Sequence, residues 1–293
     1  MHEYIYYKYN YYKNNNYTLG GSITHYYHFF LGFLIPFLLD ISKENFNEKT
    51  YVFDDIFGPM TKILMQLPFD IKIGIKITFK HKIRYWIPLD ADLVKRENKL
   101  YKIFTYENYK TINKFIGNLC SNINLTLPII NYDIILIERK VDISYKTTEY
   151  QKKNNMYYEI FKTSGSERRN IQNFDELYKF CVSYYKKSNI LKISLEYLPF
   201  FQQYILFNNA KLVILQHGAA LSNLIFMKKN KTIIEIIPMS SFKNSTCNIF
   251  FPLSKTCKIK HYQYLTNSDH TTIDIDDFKQ FLNDIKNKKI KTA

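Results

Sequence analysis

From residue 134 onward, short apolar runs alternate with amphipathic segments, and this alternation restricts the possible folds more than any other feature. "IILIERK" (134–140) reads as a buried strand, and "ILKISLEYL" (190–198), "KLVILQ" (211–216) and "TIIEII" (232–237) read as strands. "NFDELYKFCVSYYKKS" has helical spacing, with Asn173 as N-cap and Glu176 at the capping-box position. "PFFQQYILFNNA" is a helix opened by Pro199, and "AALSNLIFM" is a helix after a His-Gly pair. "IDIDDFKQFLNDIKN" closes the pattern as a helix capped by Asp274. Strands that alternate with helices predict a parallel sheet covered on its faces.

The first half reads as mixed α/β. "THYYHFFLGFLIPFLLDI" is a buried helix, broken or started near Pro36. "DIKIGIKITF" alternates apolar and basic residues like a strand with one wet face, and "IRYWIPLDADLV" holds another extended piece. "NYKTINKFIGNLCSNI" is helical in spacing. The boundary falls near residue 131, giving an α/β domain over 1–131 and a second over 132–293, whose last helix can pack back on the first.

The turn "QHGAALSN" carries the most chemistry. In open parallel sheets, ligands bind beyond the carboxyl ends of strands. His217 and Gly218 stand at such a point. A helix that starts at Gly218 or Ala219 presents unpaired N–H groups and the positive end of its dipole, which suits a phosphate. Ser222 and Asn223 add a hydroxyl and an amide. Glu235 follows roughly 20 residues later, the interval at which nucleotide-binding α/β units place a ribose-binding carboxylate. The plainer reading is a glycine turn between strand and helix, with a histidine and a glutamate satisfied by neighbours.

Charge narrows the partners. The 293 residues carry a net charge of +15, which attracts polyanions. The basic residues are spread along the chain and match no nucleic-acid module, so nucleic acid is not an expected partner. Tyr (26) and Phe (23) are abundant while Gly is scarce (8), a skew that AT-rich codons explain without function. The four cysteines form no C-x-x-C pair, so no structural zinc is expected. Cys247 and Cys257 could pair in an oxidising compartment, although a reduced cytosolic chain is simpler. The N-terminus reads as no secretory signal, and "FFLGFLIPFLLDI" is too short to span a bilayer, so the expected location is cytoplasmic.

The segment "HGAALSNLIFMKKNKTIIEIIP" resembles the signature of glycosyltransferase family 61, His-Gly-Ala-Gly-Leu-Thr-Asn followed by an apolar run and a Glu-bearing strand that ends on Pro. Upstream, "LEYLPFFQQYILFNNAKLVILQHGA" places Gln203 at the family's glutamine. "ERRNIQNFDEL" gives Arg169 and Asn173, "IILIERK" gives Arg139, and "HYYHFFLGFLIP" puts His28 at the family histidine. Ala220 and Ser222 replace the family's second Gly and its Thr, changes that a helix start tolerates.

The resemblance implies a GT-B-like α/β architecture, two Rossmann-like domains facing across a cleft, with the donor held by the C-terminal one. It implies an inverting, metal-independent transfer from a UDP-sugar, N-acetylglucosamine or a pentose, to a protein or glycan hydroxyl. Arg139 and Arg169 then meet the diphosphate, with Asn173, Gln203, His217, Gly218, Ala219, Ser222, Asn223 and Glu235 around the donor. The base comes from the N-terminal half, with His28 the first candidate and Asp54 the second. Two other readings stay open. Asp90-Ala-Asp92 has the spacing of the metal clasp in single-domain, manganese-dependent glycosyltransferases. Alternatively, the chain is a non-catalytic basic protein that binds nucleic acid.

Overall fold

The computed structural model describes residues 3–9, 26–76, 81–86, 104–122, 131–140, 165–196, 198–239 and 250–290. Asp90, Asp92 and Cys247 lie outside the described residues, as do most of residues 149–168. The chain divides into two compact units, Met1–Leu125 with Thr147–Tyr158, and Thr126–Lys146 with Glu159–Ala293. Both are mixed α/β and both are built on parallel strands.

In the first unit, β1 (Glu3–Tyr9), β2 (Lys49–Phe53), β3 (Asp70–Ile73) and β4 (Lys82–Trp86) form a sheet in the order β3-β2-β1-β4. The expected strand from residue 70 ends at Ile73, where Gly74 turns with φ of 67°. The expected break at Pro36 is instead a continuous helix with a π turn. It comprises α1 (Tyr26–Phe29), a π segment (Phe30–Leu34) and α2 (Ile35–Ile41). Proline lacks an N–H and crowds the carbonyl one turn back, and the wider π turn just before Pro36 relieves both problems. The described residues of the unit also form a short α3 (Thr61–Leu64) and the long α4 (Tyr106–Asn122).

The core of this unit is aromatic. Phe33, Phe37, Phe53 and Phe57 are all buried and pack edge-on or stacked, with Phe33 and Phe57 centroids 4.6 Å apart. The abundance of Phe and Tyr therefore fills a core here, whatever codon usage supplied it. On the outer strand β4, Arg84 makes a bidentate pair with Glu44 at 2.6 and 3.1 Å and also reaches Asp40 at 2.8 Å. Tyr7 joins through its hydroxyl, 2.8 Å from Asp40. These bonds tie the end of α2 to β1 and β4.

In the second unit, β5 (Ile134–Ile137), β7 (Ile190–Ile193), β8 (Leu212–Gln216), β9 (Thr232–Pro238) and β10 (Lys260–Thr266) pair in the order β10-β9-β8-β5-β7. β5 and β8 are buried at every position and the interior of β9 is likewise buried, which is why they read as unbroken apolar runs. One face carries Leu136, Ile214, Ile234 and Ile236 against α6 (Phe174–Tyr184) and α9 (Ile275–Lys286). The last helix thus buries Phe278 and Leu282 in the core of its own unit. α7 (Phe200–Asn209) and α8 (Phe250–Thr256) both pack on the segment that follows β8. A short α5 (Gly165–Arg168) leads into β6 (Asn170–Ile171), which pairs with β11 (His270–Thr271) beside the main sheet.

Candidate functional site

Strand order places the site. Counted within the five-stranded sheet, β5 is the first strand, yet it lies between the second, β7, and the third, β8. The chain leaves β5 toward β7 and leaves β8 toward β9, in opposite directions, and at such a switch point open α/β sheets bind ligands beyond the carboxyl ends of their strands. Two sequence elements meet there, the Glu138–Arg139 end of β5 and the His217–Gly218 end of β8.

They meet in direct contact. Arg139 Nη1 donates to the His217 carbonyl at 3.0 Å. A Cβ built on Gly218 would stand 1.8 Å from that Nη1, so any side chain there must displace the guanidinium that covers it. Burial, and then the charges of Arg169 and Arg168, pull the Arg139 pKa down to about 10. The group stays cationic at neutral pH, with Glu196 and Asp269 partly offsetting the two neighbouring arginines. Arg169 is buried and its Nε donates to Asp269 at 2.6 Å. Gln216, the last residue of β8, donates to the Asp269 carbonyl at 2.8 Å. A cationic cluster of this kind favours an anion beside it.

The segment after Gly218 is not the expected α-helix. Ala219–Phe226 is a 3-10 helix, entered by a bond from the Leu221 amide to the Gly218 carbonyl at 3.0 Å. The tighter winding still leaves the leading N–H groups without an intrahelical acceptor, now at Gly218, Ala219 and Ala220. Ala219 and Ala220 are half-buried, whereas Leu221 through Met227 are buried. Ser222 is fully buried, and its hydroxyl meets no hydrogen-bond partner among the described residues.

Beneath the turn lies a buried polar network. His217 Nδ1 makes a short contact with Glu235 Oε1. His261 Nε2 meets Glu235 Oε2 at 3.0 Å, and Gln263 Nε2 donates to the same oxygen at 2.7 Å. Glu235 has no exposed surface. Burial alone would raise its pKa, but the bonds from His217 and His261 outweigh burial and hold it near 2. The carboxylate expected at the ribose is therefore turned into the protein, behind the imidazole of His217.

The remaining expected contacts fall into two structural groups. Asn223 donates to Gln203 Oε1 at 3.1 Å, and Gln203 donates to the carbonyls of Leu195 and Leu198 at 3.2 and 3.0 Å. This buried pair braces the loop that leaves β7. Asn173 is the N-cap of α6 by position, but its side chain does not cap the helix. It exchanges two bonds of 2.8 Å with the backbone of Ile273 and donates to Glu176 at 2.9 Å. In the first unit, His28 stands in α1 just before the π segment, with its ring against Tyr27. Asp54 follows β2 and accepts a bond from Tyr6.

A model of the family Glycosyltransferase 61 matches residues 26–234. The chain belongs to glycosyltransferase family 61. It is accordingly an enzyme that acts on a sugar donor and an acceptor. The match holds Arg139, Arg169, Gln203 and His217, and stops one residue short of Glu235. No curated protein matches this glycosyltransferase significantly. Among its described residues no helix is long and apolar enough to cross a membrane.

His261, Gln263, Ser254, Gln216 and Arg168 were not legible as site residues in the sequence. His261 and Gln263 reach Glu235 through strand pairing, with Gln263 opposite Glu235 and His261 opposite Ile233. The signal available was a histidine and a glutamine alternating in "KHYQYL", on the strand next to a buried glutamate.

Proposed function

We propose that this family 61 enzyme transfers a sugar, N-acetylglucosamine or a pentose, from a UDP donor to a hydroxyl of a protein or glycan, with inversion. The observation that carries the reading is the Arg139 guanidinium bonded over the His217–Gly218 turn, with Arg169 tied through Asp269 to Gln216 of the same strand, at the switch point of a parallel sheet. Arg139 and Arg169 take the diphosphate, and His217 acts with the amides of Gly218 and Ala219 on a phosphate oxygen. Glu235 acts through His217, because its carboxylate is turned away from solvent.

In this reading the acceptor oxygen attacks the anomeric carbon from the face opposite the diphosphate. The bond from that carbon to the β-phosphate oxygen breaks, and UDP leaves with the electron pair. The acceptor proton passes to a base. Arginines and backbone amides supply the leaving-group stabilisation without a metal. The base belongs to the first unit, as His28 or Asp54, in a GT-B plan with the donor on the second unit.

Calorimetry with UDP tests the donor site. The wild type binds UDP, and Arg139→Ala binds at least about tenfold more weakly, a loss of about 1.4 kcal/mol. Equal binding by both proteins, or none by the wild type, overturns the assignment. The anomeric configuration of the product, read by NMR, tests inversion.

A further inference from the structure

We propose that His261, backed by Ser254 and flanked by Gln263, is a positioning residue of the donor site, holding Glu235 so that His217 keeps its Nδ1–H toward that carboxylate. The proposal deepens the donor-site reading above and rests on His217 meeting the diphosphate.

The geometry supplies the argument. An ionised carboxylate only accepts, so each ring nitrogen facing Glu235 carries a proton. His217 presents Nδ1 to Oε1, while His261 presents Nε2 to Oε2 at 3.0 Å. His261 is held from both sides. Its Nδ1 lies 3.2 Å from Ser254 Oγ, and its ring stacks on Phe251 with centroids 4.5 Å apart. Ser254 Oγ also lies 2.8 Å from the Phe251 carbonyl, and its single proton is shared between that carbonyl and His261 Nδ1. His261 and Ser254 are each 1% exposed, so water does not take the place of either bond.

Removing His261 leaves Oε2 with Gln263 alone. A buried carboxylate that loses a donor takes up a proton more readily. Protonated Glu235 would present an O–H to His217 Nδ1, and that bond requires the opposite tautomer, with the proton on Nε2. With Glu235 ionised, Nδ1–H is fixed, and the carboxylate on one side favours a second ring proton when a diphosphate arrives on the other. UDP binding then takes up a proton. Among the described residues, the groups that face His217 include Glu235 on β9, Phe250 on α8 and, at its own carbonyl, Arg139 after β5. His261 and Gln263 on β10 act on it through Glu235.

The test uses the full chain, UDP as probe, and the variants His261→Phe, His261→Gln and Ser254→Ala. Imidazole ring 15N NMR of the wild type is expected to show His217 protonated at Nδ1. UDP affinity of His261→Phe should fall about tenfold, in line with losses at other outer-shell partners of histidine. Its dependence on pH between about 6 and 8 should shift, because His217 no longer takes up the same proton. His261→Gln, which keeps an N–H for Glu235, should recover affinity to within about threefold of wild type. A wild-type His217 carrying its proton on Nε2 overturns the proposal, and so does a His261→Phe enzyme with wild-type affinity and pH profile. Equal losses in the Phe and Gln variants, with an unchanged His217 spectrum, also overturn it, since packing alone would give them. If His261→Phe does not fold, Ser254→Ala takes its place, with a smaller loss and the same shift in pH profile expected. A wild type that binds no UDP refutes the donor-site reading, and the ring spectrum then decides the positioning claim by itself.

Discussion

Glu235 has been given the most unfavourable surroundings a carboxylate can have and the bonds to tolerate them. Its carboxyl is held near 2, below the ordinary 4.5. The stabilisation it gives is therefore complete above about pH 4.5 and is lost as pH falls toward 2. Urea unfolding of the wild type should weaken across that window, while Glu235→Gln should show a flatter acid limb. At neutral pH, the same variant should be less stable by about 3 kcal/mol, because it unbalances a buried charged network. Gly218 is constrained differently. A methyl group there must push the Arg139 guanidinium off the His217 carbonyl, which a flexible side chain permits. Gly218→Ala should fold with a loss of at most about 2 kcal/mol and bind UDP about tenfold more weakly. Circular dichroism melts and calorimetry separate the two effects.

At the scale of elements, the second unit was largely legible because its inner strands are buried on both faces and its helices are amphipathic. "IILI", "LVILQ" and "TIIEIIP" could hardly be anything but inner strands. β1 and β2 were not read, since "EYIYYKY" and "KTYVF" are short and rich in tyrosine, and their pairing is set by partners elsewhere. The helix after Gly218 was read correctly as a helix but not as 3-10, a difference of winding that periodicity over eight residues does not resolve. The family resemblance puts Asn173 among the donor-site residues, and its amide joins α6 to the segment before α9. Asn173→Ala should therefore cost about 2 kcal/mol, two buried hydrogen bonds at about 1 each, with UDP affinity unchanged. A thermal melt beside a UDP titration checks both halves of that statement.

For the whole molecule, the expected chemistry requires charge and no metal. Turnover in excess EDTA should equal that without it, and loss of activity restored by manganese would favour the Asp90–Asp92 reading instead. UDP affinity should fall severalfold as salt rises from about 0.05 to 0.5 M, because part of the attraction comes from arginines that ions screen. One further consequence follows from β5 lying between strands made later. The bond from Arg139 to the His217 carbonyl joins residues 78 apart, and one of the two strands bordering β5 is β8. A nascent chain emerging from the ribosome thus carries the bare edge of "IILI" until Leu212–Gln216 has been synthesised. During that interval the strand is open to wrong partners, and parallel pairing over such a separation is slow. Substitutions in β8 should therefore reduce the yield of folded enzyme more than their effect on the finished protein's stability would suggest.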